Sequence, residues 1–178
     1  MSDNYAGARA AMRHLIDLNH TRIAHISGWQ HHDAGRERQR AYMEQLLAAH
    51  QPFDPSLISE GNYTNVGGYT AALKLLSHPN PPSAIFAAND YSAFGAIEAA
   101  RSLGLQVPQD LSVVGFDDIP MAVQVHPNLT TVRQQQYEMG KTVAKMVLST
   151  LKGVEAIGGV MRYETELVIR ASTAQRRP

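Results

Sequence analysis

Short, uninterrupted apolar runs that end in polar residues recur along the first part of the chain. The clearest run extends from Leu111 to Phe116 and is followed at once by two carboxylates, Asp117 and Asp118. Parallel strands that are covered on both faces have this continuous apolar character. Similar runs occupy Arg22–Ser27, Leu57–Glu60 and Ser83–Ala87. The pattern therefore predicts four buried strands up to Asp117.

Segments with helical spacing separate these strands. Apolar residues recur every three or four positions from Tyr5 to Leu18, and Asp3 or Asn4 can cap that helix. Three more helices are predicted over 35–49, over 65–76 with Thr64 or Asn65 as cap, and over 91–103. Strict alternation of strand and helix predicts an α/β fold, a three-layer parallel sheet with helices on both faces.

The later part of the chain has a different order. A short β-rich run covers Leu129–Val132, and Tyr137–Leu151 forms a strongly amphipathic helical pattern with five large apolar residues along one side. Gly158 and Gly159 precede a last predicted strand near Met161–Ile169. Such an apolar stripe needs a partner surface, so we expect this helix to pack on its own core or on a second copy.

Composition and charge exclude several classes of function. The 178 residues carry a formal net charge of +0 and contain no cysteine. A nucleic-acid surface would need clustered Lys and Arg, and neither a disulfide framework nor a thiol nucleophile is possible. No run is long enough for a membrane helix and the first residues do not resemble an export signal, so we expect a cytoplasmic protein without a membrane partner.

Polar residues at the ends of the predicted strands form the candidate site. The carboxyl ends of parallel strands lie at one edge of a sheet, where such folds hold ligands. Asp117 can accept two hydrogen bonds from vicinal hydroxyls, although a turn aspartate bound to its own backbone is the alternative, which fits Asp118 better. The Asn89 amide can both donate and accept, whereas Asp90 is expected to cap the following helix.

Two aromatic residues lie at the same predicted edge. Trp29, the single tryptophan, follows the first strand and Tyr63 follows the second. Either ring can stack on a ligand or pack against its own loop, and the sequence leaves both alternatives open. His31, His32 and Asp33 superficially suggest metal ligands, but adjacent histidines rarely point at one ion without a third ligand at helical or strand spacing. No metal site and no cofactor are therefore expected.

Three common catalytic or nucleotide-binding motifs are missing from the sequence. It contains no Gly-x-Ser-x-Gly elbow, no Gly-x-x-x-x-Gly-Lys loop and no Gly-x-Gly-x-x-Gly after the first strand. The strand-end carboxylates are accompanied by arginine and asparagine, a combination that suits hydroxyl binding better than proton transfer. We therefore expect a binding protein and not an enzyme.

A series of motifs, in order and over nearly the whole chain, resembles the effector-binding core of lactose-repressor-type (LacI/GalR) transcription regulators. They are Leu15-Ile-x-Leu-x-His20 with Arg22-Ile-Ala24, Glu37-Arg38 with Tyr42, Ala88-Asn-Asp90, Val107-Pro-x-Asp-Leu-Ser-Val-Val-Gly-Phe-Asp-Asp118, Pro127-x-Leu-Thr-Thr-Val-Arg-Gln134 and Leu167-Val-Ile-Arg-Ala-Ser172. Each motif alone is weak, but their shared order and spacing are specific.

The resemblance implies a fold like that of the carboxyl-terminal subdomain of periplasmic binding proteins. It implies that Arg38 reaches the effector with its fork of donors and that Gln134 contacts ligand from the second crossover. Residues 1–129 would form this subdomain, 130–152 a segment that returns to a missing amino-terminal subdomain, and 153–178 the final strand and tail. The helix-turn-helix of the family is absent, so DNA would be contacted only through a domain outside this chain.

The expected function is therefore that of the effector-sensing, dimerising part of a regulator, more often a repressor, that binds a small sugar-like molecule. Residues 93–103 and the loop 119–125, with apolar Met121, Val123 and Val125, would contribute to a homodimer. A fragment of a periplasmic-type solute-binding protein is the alternative. Because half of the cleft would be missing, weak or undetectable effector binding is expected for the chain alone.

Overall fold

The structure is a computed structural model that describes residues 1–152 and 159–176. The chain folds in the order α1 (Asn4–Asp17), β1 (Ile23–Ser27), α2 (Asp33–Ala48), β2 (Ile58–Glu60), α3 (Asn65–Leu76), β3 (Ala84–Ala87), α4 (Asp90–Ser102), β4 (Ser112–Asp117), β5 (Thr130–Gln134), α5 (Gln136–Leu151) and β6 (Thr165–Val168). Short 3-10 turns cover Pro55–Leu57 and Pro120–Val123.

One six-stranded sheet organises the molecule, with strand order β2-β1-β3-β4-β5-β6. Strands β1 to β5 are parallel, and β6 runs antiparallel to β5. The predicted parallel α/β sheet is confirmed. Residues 130–134, placed at the start of a returning segment, form an inner strand of this sheet, and the assignment of the remainder to another subdomain stays a prediction.

Each face of the sheet carries its own hydrophobic core. Helices α1 and α2 cover one face, where Met12, Leu15, Tyr42, Phe86 and Phe116 are buried. Helices α3 and α4 cover the other, over residues such as Leu75, Ile85, Val113 and Leu129. Alternation of side chains along each strand sends successive residues to opposite cores, which explains why the strands are apolar throughout.

Two of the helix caps predicted from the sequence are present, and a third is formed by a neighbouring residue. The Asp3 carboxylate accepts from Ala6 N and caps α1, and the Thr64 hydroxyl accepts from Gly67 N and caps α3. The prediction that Asp90 caps α4 is wrong, because the cap is Asn89, whose Oδ1 accepts from Ser92 N. The Asp90 carboxylate instead bonds to distant groups, Ile119 N and the Thr131 hydroxyl.

Helix α5 projects from the rest of the molecule and contains no buried residue. Val143 and Leu151 are 59% and 78% exposed. Its contacts include hydrogen bonds from Ser2 Oγ to Met139 Sδ and from Tyr163 Oη to Thr142 Oγ1. Of the two expected partners of α5, its own core is not the one observed, because helices α1 to α4 already cover both faces of the sheet. Packing of α5 on a second copy stays a prediction. Among the described helices none is long and apolar enough to span a membrane.

A buried histidine lies in the centre of the face covered by α1 and α2. The His25 ring stacks between Tyr42 and Phe86, with centroids 5.1 and 5.0 Å away. Its Nδ1 lies 2.9 Å from the carbonyl oxygen of Phe86 and therefore carries the proton, while Nε2 has no partner among the described residues. Burial lowers the pKa of His25 to about 4 from the ordinary 6.5, and the Phe86 carbonyl opposes this only in part.

The buried neutral imidazole predicts an acid-sensitive fold. Because the folded pKa of His25 lies below the ordinary value, the unfolded chain binds the extra proton between these two pH values. The free energy of unfolding should therefore fall as the pH drops from about 6.5 towards 4, with a contribution from this residue of about 3 kcal/mol. Urea unfolding followed by circular dichroism across this range measures the loss.

A pair of variants separates His25 from other titrating groups. His25→Phe keeps the ring stack and should flatten this part of the pH profile, whereas His50→Asn, at an exposed position with φ of 53°, should leave it unchanged. Equal slopes for wild type and His25→Phe would contradict the assignment.

Candidate functional site

The carboxyl ends of β1, β3 and β4 bring most of the predicted site residues to one edge of the sheet. These strands are parallel neighbours, and the register aligns Ile26 with Ala87 and Phe86 with Val114. Gly28 and Trp29 therefore follow β1 beside Asn89, which follows β3, and Asp117, which ends β4. Strand β5 adds Gln134 at the same level, since Arg133 pairs with Asp117.

The Arg38 guanidinium is the buried centre of this edge. Arg38 is 5% exposed and projects from α2. Its Nε and Nη2 donate to Asn4 Oδ1 at 3.0 and 2.7 Å, and Nη1 donates to the carbonyl oxygen of Ala88. The guanidinium carbon lies 3.7 Å from the centroid of the Phe116 ring. Burial lowers the pKa of Arg38, and the neighbouring Asp117 carboxylate opposes this.

Asp117 and Gln134 complete a connected group with Arg38. Asp117 Oδ1 lies 3.8 Å from Arg38 Nη1 and accepts from Gln134 Nε2 at 2.5 Å. Burial raises the pKa of Asp117, while Arg38 and the Gln134 hydrogen bond lower it. The structure thus brings three of the predicted residues together: Asp117 and Gln134 are partly exposed, and the Arg38 guanidinium is buried beside Asp117.

Asn89 and Tyr63 are also at this edge, but the Asn89 amide is already engaged. Its Nδ2 donates to the carbonyl oxygen of Tyr63 at 3.0 Å, and its Oδ1 caps α4. Tyr63 has a left-handed backbone with φ of 58°. Its ring lies against Gly28, where any Cβ would collide with it. The Tyr63 hydroxyl is buried without a partner among the described residues, and burial raises its pKa.

Trp29 forms the outer rim of the site. The indole Nε1 donates to Asn62 Oδ1 at 3.0 Å, and the ring meets Tyr63 edge to face with centroids 5.5 Å apart. His31 stacks on the indole at 5.8 Å. Of the two alternatives, packing on the loop is present, yet 37% of Trp29 remains exposed, which leaves ring surface for a ligand.

Asp118 and the segment 31–33 have other contacts than the sequence suggests. Asp118 does not bind its own backbone: its Oδ2 accepts from Arg133 Nε at 2.7 Å and its Oδ1 from Arg170 Nη2 at 2.6 Å. It is therefore an anchor for β5 and for the segment after β6. The described residues hold no group of three His, Asp or Glu side chains that could bind a metal, and His31 and His32 contact Trp29 instead.

Asn4 is the functional neighbour that sequence reasoning missed. It was considered only as a helix cap, whereas its buried side chain accepts two hydrogen bonds from Arg38, 34 residues away. The arrangement as a whole brings a guanidinium, a carboxylate, a primary amide and an aromatic face together at the open carboxyl edge of the sheet. Such groups together suit a ring that carries hydroxyls: the charged groups pair with the hydroxyls and the aromatic face covers C–H bonds.

A family model matches most of the chain. The sequence model of the periplasmic binding protein-like domain matches residues 12–173, so the chain belongs to that family. The recognised resemblance to lactose-repressor-type regulators is confirmed as well, since the relatives named below are regulators of this kind.

The curated relatives are transcription regulators, as the non-enzymatic interpretation expects. The HTH-type regulator CelR of Thermobifida fusca is 37% identical over 170 residues, covering 96% of this chain and 50% of CelR. The HTH-type repressor CytR of Escherichia coli K12 is 35% identical over 171 residues, again 96% and 50%. The chain therefore spans about half the length of the curated relatives it matches.

Two solved structures have nearly the same fold. The CelR–cellobiose complex superposes with a TM-score of 0.90 at 37% identity, covering 96% of this chain and 52% of that protein. A dimeric Lac repressor with a C-terminal deletion gives a TM-score of 0.90 at 29% identity, covering 98% of this chain and 65% of the repressor.

Because Arg38 is buried, its removal is expected to lower the free energy of unfolding. Arg38→Ala should lower the free energy of unfolding by about 3–5 kcal/mol, because one partner of a buried charge pair is removed and the bonded Asn4 and Ala88 oxygens lose their donor. The matched control, Arg36→Ala, removes an exposed guanidinium in the same helix that pairs with Asp33 and should cost less than about 1 kcal/mol. Denaturant titration compares the two, and equal losses would contradict the anchoring role of Arg38.

Proposed function

We propose that this chain is the effector-sensing part of a lactose-repressor-type transcription regulator, with a repressor the favoured case. The observation that carries the proposal is the connected group of Arg38, Asp117 and Gln134 at the carboxyl edge of the sheet. These residues come from α2, β4 and β5, so a ligand that contacts all three senses the relative placement of three elements. DNA would be contacted through a domain outside this chain, and the regulator would act in the cytoplasm.

The proposed effector is a sugar or a related ring that carries vicinal hydroxyls. The Asp117 carboxylate can accept hydrogen bonds from two hydroxyls, while Arg38 and Gln134 donate to ring or hydroxyl oxygens. Trp29 and Tyr63 supply aromatic surface beside these polar groups, and Asn89 adds an amide whose present contacts fix the loop. The relative CelR was solved with cellobiose, which supports a saccharide as the first ligand to test.

The proposal includes a second wall of the cleft. The open carboxyl edge of the sheet would cover only one side of a ligand, whereas small-molecule sites bury most of the ligand surface. We assign the other wall to an amino-terminal subdomain, which would also cover the exposed apolar face of α5. Effector bound between two walls would favour one relative orientation, and the shift in population is limited by its differential affinity for the two arrangements.

A titration of the chain with saccharides tests the site. Cellobiose and glucose, each up to about 50 mM, should shift the backbone amide signals of Trp29, Gln134 and Asp117 in two-dimensional NMR, together with the Trp29 indole N–H and the Gln134 side-chain amide. Affinity should be in the millimolar range, since one wall supplies only part of the contacts. Arg9→Gln, on the exposed side of α1, serves as a control and should bind as wild type does.

Two results would contradict these expectations in different ways. Shifts confined to residues away from the carboxyl edge would contradict the site itself. Micromolar affinity of the isolated chain would contradict the need for a second wall. Gln134→Ala should weaken saccharide binding several-fold without unfolding the chain, since this side chain is at the partly exposed end of β5.

We further propose a homodimer through the surface formed by α3, α4 and the loop 119–125. Val66, Met121 and Val123 are 74%, 45% and 55% exposed, and Val125 packs partly on the core. Asn65 on α3 bonds Glu98 on α4, and Arg101 on α4 bonds the carbonyl oxygen of His126, which directly follows the loop. These elements therefore lie side by side. The similarity to a dimeric Lac repressor supports this assignment.

Val123→Glu should abolish this self-association, because it places a charge in an apolar contact that offers it no partner. Sedimentation velocity at several concentrations measures the change in mass. Val160→Glu, a 71% exposed apolar residue outside this surface, is the matched control and should behave as wild type. A Val123→Glu chain that associates as strongly as wild type would contradict the proposed surface.

The alternative, a solute-binding protein, shares the domain family. The relatives reported above are transcription regulators that match over nearly the whole chain, and this observation favours the regulator.

A further inference from the structure

Asp90 is a buried carboxylate that the proposed ligand contacts do not use. It is the first residue of α4 and is 0% exposed. Its Oδ2 accepts from Ile119 N at 2.9 Å, and its Oδ1 accepts from Thr131 Oγ1 at 2.5 Å. Burial of a carboxylate without a directly paired cation costs free energy. The contacts of Asp90 show what this group does in the fold.

The two hydrogen bonds connect three elements that matter to the site. Ile119 begins the loop that carries the exposed Met121 and Val123. Thr131 belongs to β5, three residues before Gln134. Asp90 itself follows Asn89 directly at the end of β3. One side chain thus joins the start of α4 to the loop after β4 and to β5.

The space around Asp90 is closed by backbone. A Cβ at Gly115 of β4 would collide with Asp90 Oδ1, so the carboxylate rests against the bare main chain of its neighbouring strand. This contact leaves little room for Asp90 to adopt another rotamer. The positions of Ile119 and Thr131 relative to α4 therefore depend directly on the charge and hydrogen bonding of this group.

The charges that face Asp90 are mostly negative. Asp117 and Asp118 at the end of β4 disfavour a third carboxylate charge, and Asp118 is itself paired with Arg133 of β5 and Arg170. Arg38 on α2 is the cation that faces this group. Burial, followed by the two carboxylates, raises the pKa of Asp90 to about 7, although the hydrogen bonds from Thr131 and Ile119 oppose the shift.

We propose that Asp90 is a positioning residue that couples the ligand edge to the loop of the proposed dimer surface, and that gain or loss of its proton changes how firmly it does so. The charged carboxylate holds the Ile119 amide and the Thr131 hydroxyl by charge-assisted hydrogen bonds, which are about twice as strong as neutral ones. When the carboxyl is neutral, these bonds weaken, and the loop and β5 are held less tightly. The part of this inference that concerns the dimer rests on the proposed function; the positioning itself does not.

NMR titration of the chain alone tests the positioning. The Asp90 carboxyl carbon should titrate with a midpoint at least two pH units above the ordinary 3.8, and the Ile119 amide proton should follow the same midpoint. In Asp90→Asn this transition of Ile119 should vanish, whereas Asp17→Asn, at an exposed position on α1, should leave it intact. Asp117→Asn removes the neighbouring carboxylate, and the Ile119 transition should persist in this variant because it follows Asp90.

Outcomes of the titration decide the proposal without any ligand. An Ile119 amide that stays flat while Asp90 titrates, or that titrates alike in Asp90→Asn, would overturn it. Because the wild-type titration needs no substitution, an unfolded variant would not prevent the decision. A carboxylate that only fills space, without holding the Ile119 amide, would change stability but would not move the Ile119 amide with its own proton.

Sedimentation at pH 6 and pH 8 tests the link to association. Wild type should self-associate at least threefold more weakly at pH 6, and Asp90→Asn should show equal association at both values. If the chain does not associate at either pH, the proposed dimer fails while the NMR result still decides the positioning role. If wild type associates equally at both values, the coupling to the loop is refuted.

Discussion

The buried guanidinium of Arg38 is the interaction on which the arrangement of the candidate site depends. Transfer of such a charge out of water costs several kcal/mol even after relaxation. The Asn4 side chain, the Ala88 carbonyl, the Phe116 ring and the Asp117 carboxylate together offset that cost. Since these groups belong to α1, β3 and β4, the requirement to satisfy one cation fixes the relative positions of elements far apart in sequence.

The fold was largely predictable because its determinants are local. Strands β1, β3 and β4 follow apolar runs of the sequence, and the caps at Asp3 and Thr64 lie where the sequence indicates. The amphipathic pattern of 137–151 likewise predicted a helix. It did not reveal what the helix packs against, because that depends on whether the faces of the sheet are already covered.

Contacts between distant residues explain the errors at the site. Asn89 and Asp90 are equally suited to cap a helix, and the choice between them is made by Thr131 and Ile119, which no local rule connects to them. Asp118 resembled a turn residue because its partners come from later in the chain, Arg133 from β5 and Arg170 from the segment after β6. Arg38 would have passed for a solvated arginine without the family resemblance, since Arg36, two residues away, is one.

The strained backbone at the end of β4 is held by the same contacts that orient the Asp117 carboxylate. Asp117 and Asp118 have φ values of 125° and 55°, and non-glycine residues in such conformations cost about 1–3 kcal/mol each unless the surroundings hold them. Arg38 and Gln134 hold the first residue, and Arg133 and Arg170 hold the second. The contacts that offset this strain are also those that orient the Asp117 carboxylate towards the open edge. A ligand that bound Asp117 would therefore meet a carboxylate that is already held in place. A change in the contacts of Asp117 or Asp118 would act directly on β5 and on the segment that Arg170 anchors.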